Sequence, residues 1–180
     1  MLALAKRVLG RLARGVRRDD GTATIEFVIL FPFFFFKQKT AYEMSLYLAR
    51  LTLLERAVDL NVRALRLGVL DPATSDELKA RICDDALILP DCNNNIMIEL
   101  TEVSTDTWNL PTAGVTCVDR DADIQPAVDF RFGRLNDLMM VRVCVVVEPF
   151  FGSTPYVMNL PKDATGGFAL TAASTFVNEP

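Results

Sequence analysis

The chain has 180 residues, 51 % of them hydrophobic, a net charge of −4 and no histidine. That length has room for one domain and an anchor, and the hydrophobic share is high for a soluble domain but low for a multi-span membrane protein. Without imidazole the commonest general base and metal ligand are missing, which excludes Ser-His-Asp and Cys-His catalysis.

The charge is unevenly spread. Lys6, Arg7, Arg11, Arg14, Arg17 and Arg18 fall among the first 18 residues with no acidic neighbour. Without residues 1–21 the chain keeps 13 basic and 21 acidic side chains, a net −8. A split this sharp at the N-terminus reads as a targeting or topogenic segment, not a nucleic-acid surface.

An apolar run follows, Thr22 to Phe36, interrupted only by Glu26 and Pro32. As a helix it covers about 22 Å, short of the ~30 Å bilayer core. Beyond Lys37-Gln38-Lys39-Thr40 apolar character resumes from Ala41 to Leu54, with Glu43 and Arg50 inside it. The expected span is therefore Thr22 to about Tyr42, with Lys37 and Lys39 snorkelling to the outer interface. Positive-inside logic leaves the leader in the cytoplasm and the rest outside. A carboxylate in such a run costs roughly 2.5–3.5 kcal/mol on insertion scales, so Glu26 marks a function by default; a place in the headgroup zone is its structural alternative. Pro32 removes one ladder hydrogen bond and predicts a kink, which membrane helices tolerate.

From Met44 to Leu67 there is neither proline nor glycine. Tyr47, Leu51, Leu54, Val58, Val62 and Leu65 make one apolar stripe. Leu46, Leu53, Leu60, Ala64 and Leu67 make a second, suited to a neighbour or to a fully buried helix. Glu55, Arg56, Asp59, Arg63 and Arg66 form a charged stripe, with Asp59 and Arg63 at favourable i,i+4 spacing. Gly68 is a C-cap candidate and Asp71-Pro72 stops the helix. The expected organisation is a leader at 1–21, a transmembrane and stalk helix at 22–68, and a head at 69–180.

The head opens on Thr74-Ser75-Asp76-Glu77, a capping box with Thr74 as N-cap and Glu77 at N3. The helix it starts turns Leu78, Ile82, Ala86 and Leu89 inward and stops at Pro90. Asn93-Asn94-Asn95 turns into a strand in which Ile96, Ile98 and Leu100 alternate with Met97, Glu99 and Thr101. Residues 108–126 are loop-rich, with a short strand expected through Val115-Thr116-Cys117-Val118. Leu138 to Val147 is apolar on both faces and belongs at the centre of a sheet. Phe168 to Val177 is the last strand. The predicted fold class is α+β: a long N-terminal transmembrane and stalk helix, then a small antiparallel sheet of three or four strands packed on helices.

Cys83, Cys92, Cys117 and Cys144 all follow the apolar run. An even count in an exported segment reads as two disulfides; free core cysteines are the alternative, and zinc is disfavoured by the wide gaps. Sequence order suggests Cys83–Cys92 and Cys117–Cys144, with the other two pairings open. Asp119-Arg120-Asp121-Ala122-Asp123 imitates the start of an EF-hand loop, but Ile124 and Phe130 stand where Gly and Glu are required. Gly166-Gly167 precedes a strand, not the helix a phosphate loop needs. Ser45 and Lys79 bring no general base, and Asp84-Asp85 point different ways on a helix. The expectation is no enzyme, metal, cofactor, nucleic acid or small-molecule substrate.

A basic leader ending in Gly21, then Thr22-Ala23-Thr24-Ile25-Glu26-Phe27, resembles the type IV prepilin processing pattern. With Val28-Ile29-Leu30-Phe31-Pro32 it is similar to the opening of the TadE-like pilus assembly proteins, pilin-like minor components of the tight-adherence (Flp) pilus system. Leu138 to Phe151 and the closing Phe176-Val177-Asn178-Glu179-Pro180 look like the same family. The resemblance implies a pilin-like fold and cleavage by a prepilin peptidase between Gly21 and Thr22. It also implies that Glu26, then the fifth residue, pairs with the α-amino group of a neighbouring subunit, each group costly to bury alone. The implied partners are the inner membrane, the prepilin peptidase and other pilus components including pilin subunits. The implied location is a single-pass inner-membrane protein with a periplasmic head, able to enter the pilus. Residues 33–43 depart from the family: Phe-Phe-Phe-Phe-Lys-Gln-Lys-Thr-Ala-Tyr-Glu looks like the in-frame translation of a sequencing-library adapter. The same topology without processing would make a signal-anchored periplasmic binding or sensory domain, using the loop at 104–137. Ordinary signal-peptidase secretion lacks a small-x-small site after the apolar run.

Overall fold

A computed structural model describes residues 22–70, 74–111 and 113–179; the basic leader, Gly21 and the Asp71-Pro72 stop lie outside them. The chain is α+β. Helix α1 (Thr22–Arg66) is followed by α2 (Ser75–Ala86), α3 (Cys92–Asn95), β1 (Ile96–Val103), β2 (Leu138–Val147), α4 (Pro155–Met158) and β3 (Phe168–Val177). The contacts divide the chain into two compact units, one ending at Tyr42 and one beginning at Glu43.

Helix α1 is 45 residues long and contains Pro32. It ends where the sequence expects. Gly68 takes a positive φ of 63°, Val69 N–H donates to the Ala64 carbonyl at 3.1 Å and Gly68 N–H to that of Leu65 at 3.0 Å. That is a Schellman cap, and glycine fills it because a Cβ disfavours φ > 0. Among the described residues no helix is long and apolar enough to cross a membrane. Glu26, Lys37 and Lys39 place three charges between Thr22 and Lys39.

In the second unit the stripe Leu54, Val58, Val62 and Leu65 packs with Leu78, Ile82, Ala86 and Leu89 of the α2 region onto one face of the sheet. That face is supplied by Ile96, Ile98 and Leu100, by Met139, Val141, Val143, Val145 and Val147, and by Phe168, Leu170, Ala172 and Phe176. The second stripe of α1 is only partly buried: Ala64 packs against the core, but Leu60 is 49 % and Leu67 60 % exposed, so α1 is not a fully buried helix. Asp59 and Arg63 do not form an ion pair; Arg66 pairs instead with Glu179, beyond β3.

Thr74 caps α2 by accepting from Glu77 N–H at 3.2 Å. Glu77 turns its carboxylate to Arg81 at 3.4 Å, so the capping box is answered from inside the helix. The helix stops at Ala86, four residues before Pro90, at Leu87 with φ 51°.

The sheet has three antiparallel strands in the order β1-β2-β3. The doubly apolar β2 sits at its centre, as its composition requires. Ile96 pairs with Val145 and Glu99 with Arg142, while Leu138 pairs with Val177 and Val147 with Phe168. No strand forms at Val115–Val118; that segment is irregular. Its Thr116 N–H donates to the Glu99 side chain of β1, not to another strand. Asn93–Asn95 coils into α3 before β1 begins. The outer edge of β1 is capped by the 129–131 segment, with Leu100 N–H donating to Asp129 O at 2.9 Å and Arg131 N–H to Leu100 O at 3.0 Å.

Tyr47 lies 5.6 Å from Phe168 at the start of β3, and Arg66 pairs with Glu179 past its end. Helix α1 from Tyr47 onward therefore runs in the same direction as β3. The end of the head carrying Tyr47 also carries the last residues of β2 and the 148–167 connection.

Candidate functional site

The chemistry-bearing residues singled out in the sequence fall in separate places. Gly21 lies outside the described residues. Thr22 is the first residue of α1, and Glu26 follows one turn later, exposed. Around it Ile25, Phe27 to Phe31 and Phe33 to Phe36 are all 45–70 % exposed. Phe27, Phe31 and Phe35 stack at i,i+4 spacing with ring centroids 4.9 and 4.3 Å apart. A helix apolar on every side has no stable place in water; its surface calls for lipid or for other helices. Glu26 is the one ionisable group from Ile25 to Phe36.

The four cysteines form Cys83–Cys92 and Cys117–Cys144, with Cα atoms 5.6 and 5.2 Å apart. The first clips α2 to α3. The second binds the 104–137 connection to the middle of β2, on the sheet face away from α1. Two ordered groups stand on that face beside it. Arg142 on β2 and Glu99 opposite it on β1 form an ion pair at 2.5 Å, nearly buried. The second Glu99 oxygen accepts from Thr116 N–H at 3.0 Å, and Arg142 donates to the Ala113 carbonyl at 2.8 Å. Burial pushes the Glu99 carboxyl up, but the Thr116 hydrogen bond and the Arg142 charge outweigh it and leave it below the ordinary carboxylate value. Two charges and a disulfide thus lock a long irregular segment onto the sheet.

A second lock holds the far part of that segment. Arg120 grips Asp163 with two nitrogens at 3.0 and 3.2 Å and reaches Glu148 at 3.2 Å. Asp163 also accepts from Gly167 N–H at 2.7 Å and from the Thr165 hydroxyl at 2.9 Å. Desolvation raises the Asp163 carboxyl, yet Arg120 and these donors hold it below its usual range. Gly167 is required by this packing: a Cβ there would stand 2.1 Å from an Arg120 nitrogen and 2.8 Å from a Val146 methyl. The acidic turn at 119–123 spends its groups internally, with Asp121 N–H donating to Asp119 at 3.1 Å and Gln125 closing the loop.

In the sequence Glu43 and Arg50 stand inside an apolar stretch. Both are buried. Glu43 accepts from Phe150 N–H at 3.0 Å and Phe151 N–H at 2.8 Å, and Arg50 donates to the Glu148 carbonyl at 3.1 Å. The signal available was their spacing, two turns apart, on the side of α1 that carries Tyr47.

An open groove beside the β1 edge is lined by Leu100, Thr101, Glu102, Asp129, Phe132 and Gly133. Among the described residues there is no cluster of His, Cys, Asp and Glu able to hold a metal ion. The chain matches no protein-family model, no curated protein and no solved structure.

Proposed function

We propose that this protein is a minor pilin-like structural component of the inner membrane that takes part in assembling a tight-adherence type IV pilus. The observation that carries the reading is a helix with apolar side chains exposed all round and one carboxylate, Glu26, five residues after Gly21. Cleavage after Gly21 would give the helix a new α-amino group one turn from Glu26, and two such groups from neighbouring subunits neutralise each other where each alone is costly to bury. An α+β head with two disulfides suits the oxidising periplasm. The reading assigns no reaction: its residues bind and pack.

The membrane part of the proposal rests on Thr22 to about Tyr42. Lys37 and Lys39 oppose it, and both lie in the segment that departs from the resembled family. Lysines near the end of a span reach the interface on their flexible stems. The test is Glu26→Ala. It should leave the protein stable in the membrane fraction and abolish piliation; normal pili on cells carrying the variant would refute the role of Glu26.

One observation favours a second reading, a signal-anchored periplasmic binding or sensory domain. The groove beside β1 is lined in part by Thr101, whose hydroxyl is buried without a hydrogen-bond partner. Under that reading the leader stays attached and Gly21 is replaceable without effect.

A further inference from the structure

The connection from Glu148 to Met158 is fastened to α1 at three points: the Glu43 carboxylate on two successive amides, Arg50 on the Glu148 carbonyl, and Tyr47 edge-on to Tyr156 with centroids 6.0 Å apart. Its own turn is closed by Thr154, whose hydroxyl accepts from Val157 N–H at 3.4 Å, and by Asn159, which donates to the Pro155 carbonyl at 2.8 Å. A segment held this firmly would be expected to bury its large apolar side chains. It does not: Phe150 is 63 % and Met158 64 % exposed, and Met44 and Leu48 on α1 are exposed as well.

The geometry points to a lipid-contact surface at this end of the head, formed by Phe150 and Met158 with Met44 and Leu48, resting in the outer headgroup region of the bilayer. This rests on the membrane reading proposed above. At 1.5 Å per residue, Thr22 to Tyr42 covers about 30 Å of helix, the thickness of the hydrocarbon core. Glu43, the next residue, then falls at the outer interface, and the loop whose amides it holds falls at the same depth. Tyrosine concentrates at that depth because it has an apolar body and a polar tip, and the Tyr47–Tyr156 pair stands there. Glu43 fits there for the complementary reason: its charge is met by two peptide N–H groups, so it needs little water. The four exposed side chains neighbour the proposed span in sequence or through these bonds, which favours lipid over a protein partner.

The test uses full-length protein in vesicles of phosphatidylethanolamine and phosphatidylglycerol containing phospholipid brominated near the headgroup end of its acyl chains. Trp108 is the only tryptophan, and it lies past β1, at the other end of the sheet. A W108F background lets F150W report from the loop, M158W report if F150W does not fold, and F27W report from the span. The expected result is quenching and a shift to shorter wavelength for the F150W and M158W indoles, with Trp108 of the unmodified chain unquenched. If F27W is quenched while the loop reporters emit as in water, the lipid contact is overturned and the span stands. If none is quenched, both readings fall. A wavelength shift of the loop reporters without quenching by bromolipid would also overturn the proposal, because a protein then covers the patch.

Discussion

Glu99 and Arg142 show how one register position decides local stability. They stand opposite each other across β1 and β2, and the 104–137 connection closes over them. Arg142→Ala should cost about 3–5 kcal/mol, because the Glu99 charge is left buried without its partner; the double variant with Glu99→Ala should lose less than the two single losses combined. Thermal unfolding of the purified protein measures both. The pH dependence has a definite sign. Glu99 and Asp163 titrate below the ordinary carboxylate range when folded, so the unfolded chain binds protons more readily. Their contribution is complete above the unfolded carboxylate pKa of about 4 and is lost as pH falls through the lower folded values. Glu99→Gln should flatten that acid-side loss. Leu87 offers the opposite case: it holds φ 51° and ψ −44° with its side chain 80 % exposed. Leu87→Gly should raise the melting temperature, by a gain of up to about 1 kcal/mol from relieved backbone strain. An unchanged or lower melting temperature would contradict that account.

At the scale of elements, the two disulfides are unequal. Chain-entropy estimates for loops of about 10 and 28 residues give roughly 2.7 and 3.6 kcal/mol. The larger belongs to Cys117–Cys144, which also holds the irregular 104–137 connection on the sheet. Replacing both of its cysteines by serine should lower the melting temperature more than the same change at Cys83 and Cys92; equal effects would mean that the Arg142 and Arg120 contacts alone hold that connection. Helix α1, β2 and β3 were legible because burial dictates their patterns: a stripe at 3.6-residue spacing, a doubly apolar strand, a strand apolar on alternate residues. The end of α1 was legible because Gly68 fills a cap that disfavours any other residue. The strand expected at Val115–Val118 was not, since the Thr116 amide goes to the Glu99 carboxylate and Arg142 takes the nearby Ala113 carbonyl, and no sequence pattern announces a side chain used as a ladder partner. Asp59–Arg63 failed similarly. Helical spacing allows the pair, but solvent-exposed ions gain little from it.

At the scale of the molecule, a head built for rigidity joins a chain segment whose exposed apolar side chains need a non-aqueous partner. The head's architecture follows from residues 43–179; the role proposed for the first 42 rests on a short motif, Gly21 followed five residues later by Glu26. The burial of Glu43 and Arg50 was not legible, because their partners in the 148–151 connection lie about a hundred residues away in sequence. Resequencing the genomic locus across codons 33–43 should replace Lys37 and Lys39 with apolar residues; recovery of the same codons would leave both as native charges and weaken the span. The most direct test of the central claim is mass spectrometry of the mature N-terminus in a strain with active prepilin peptidase. A protein beginning at Thr22 is the predicted result. A protein that keeps Met1 to Gly21 while pili form normally would contradict it.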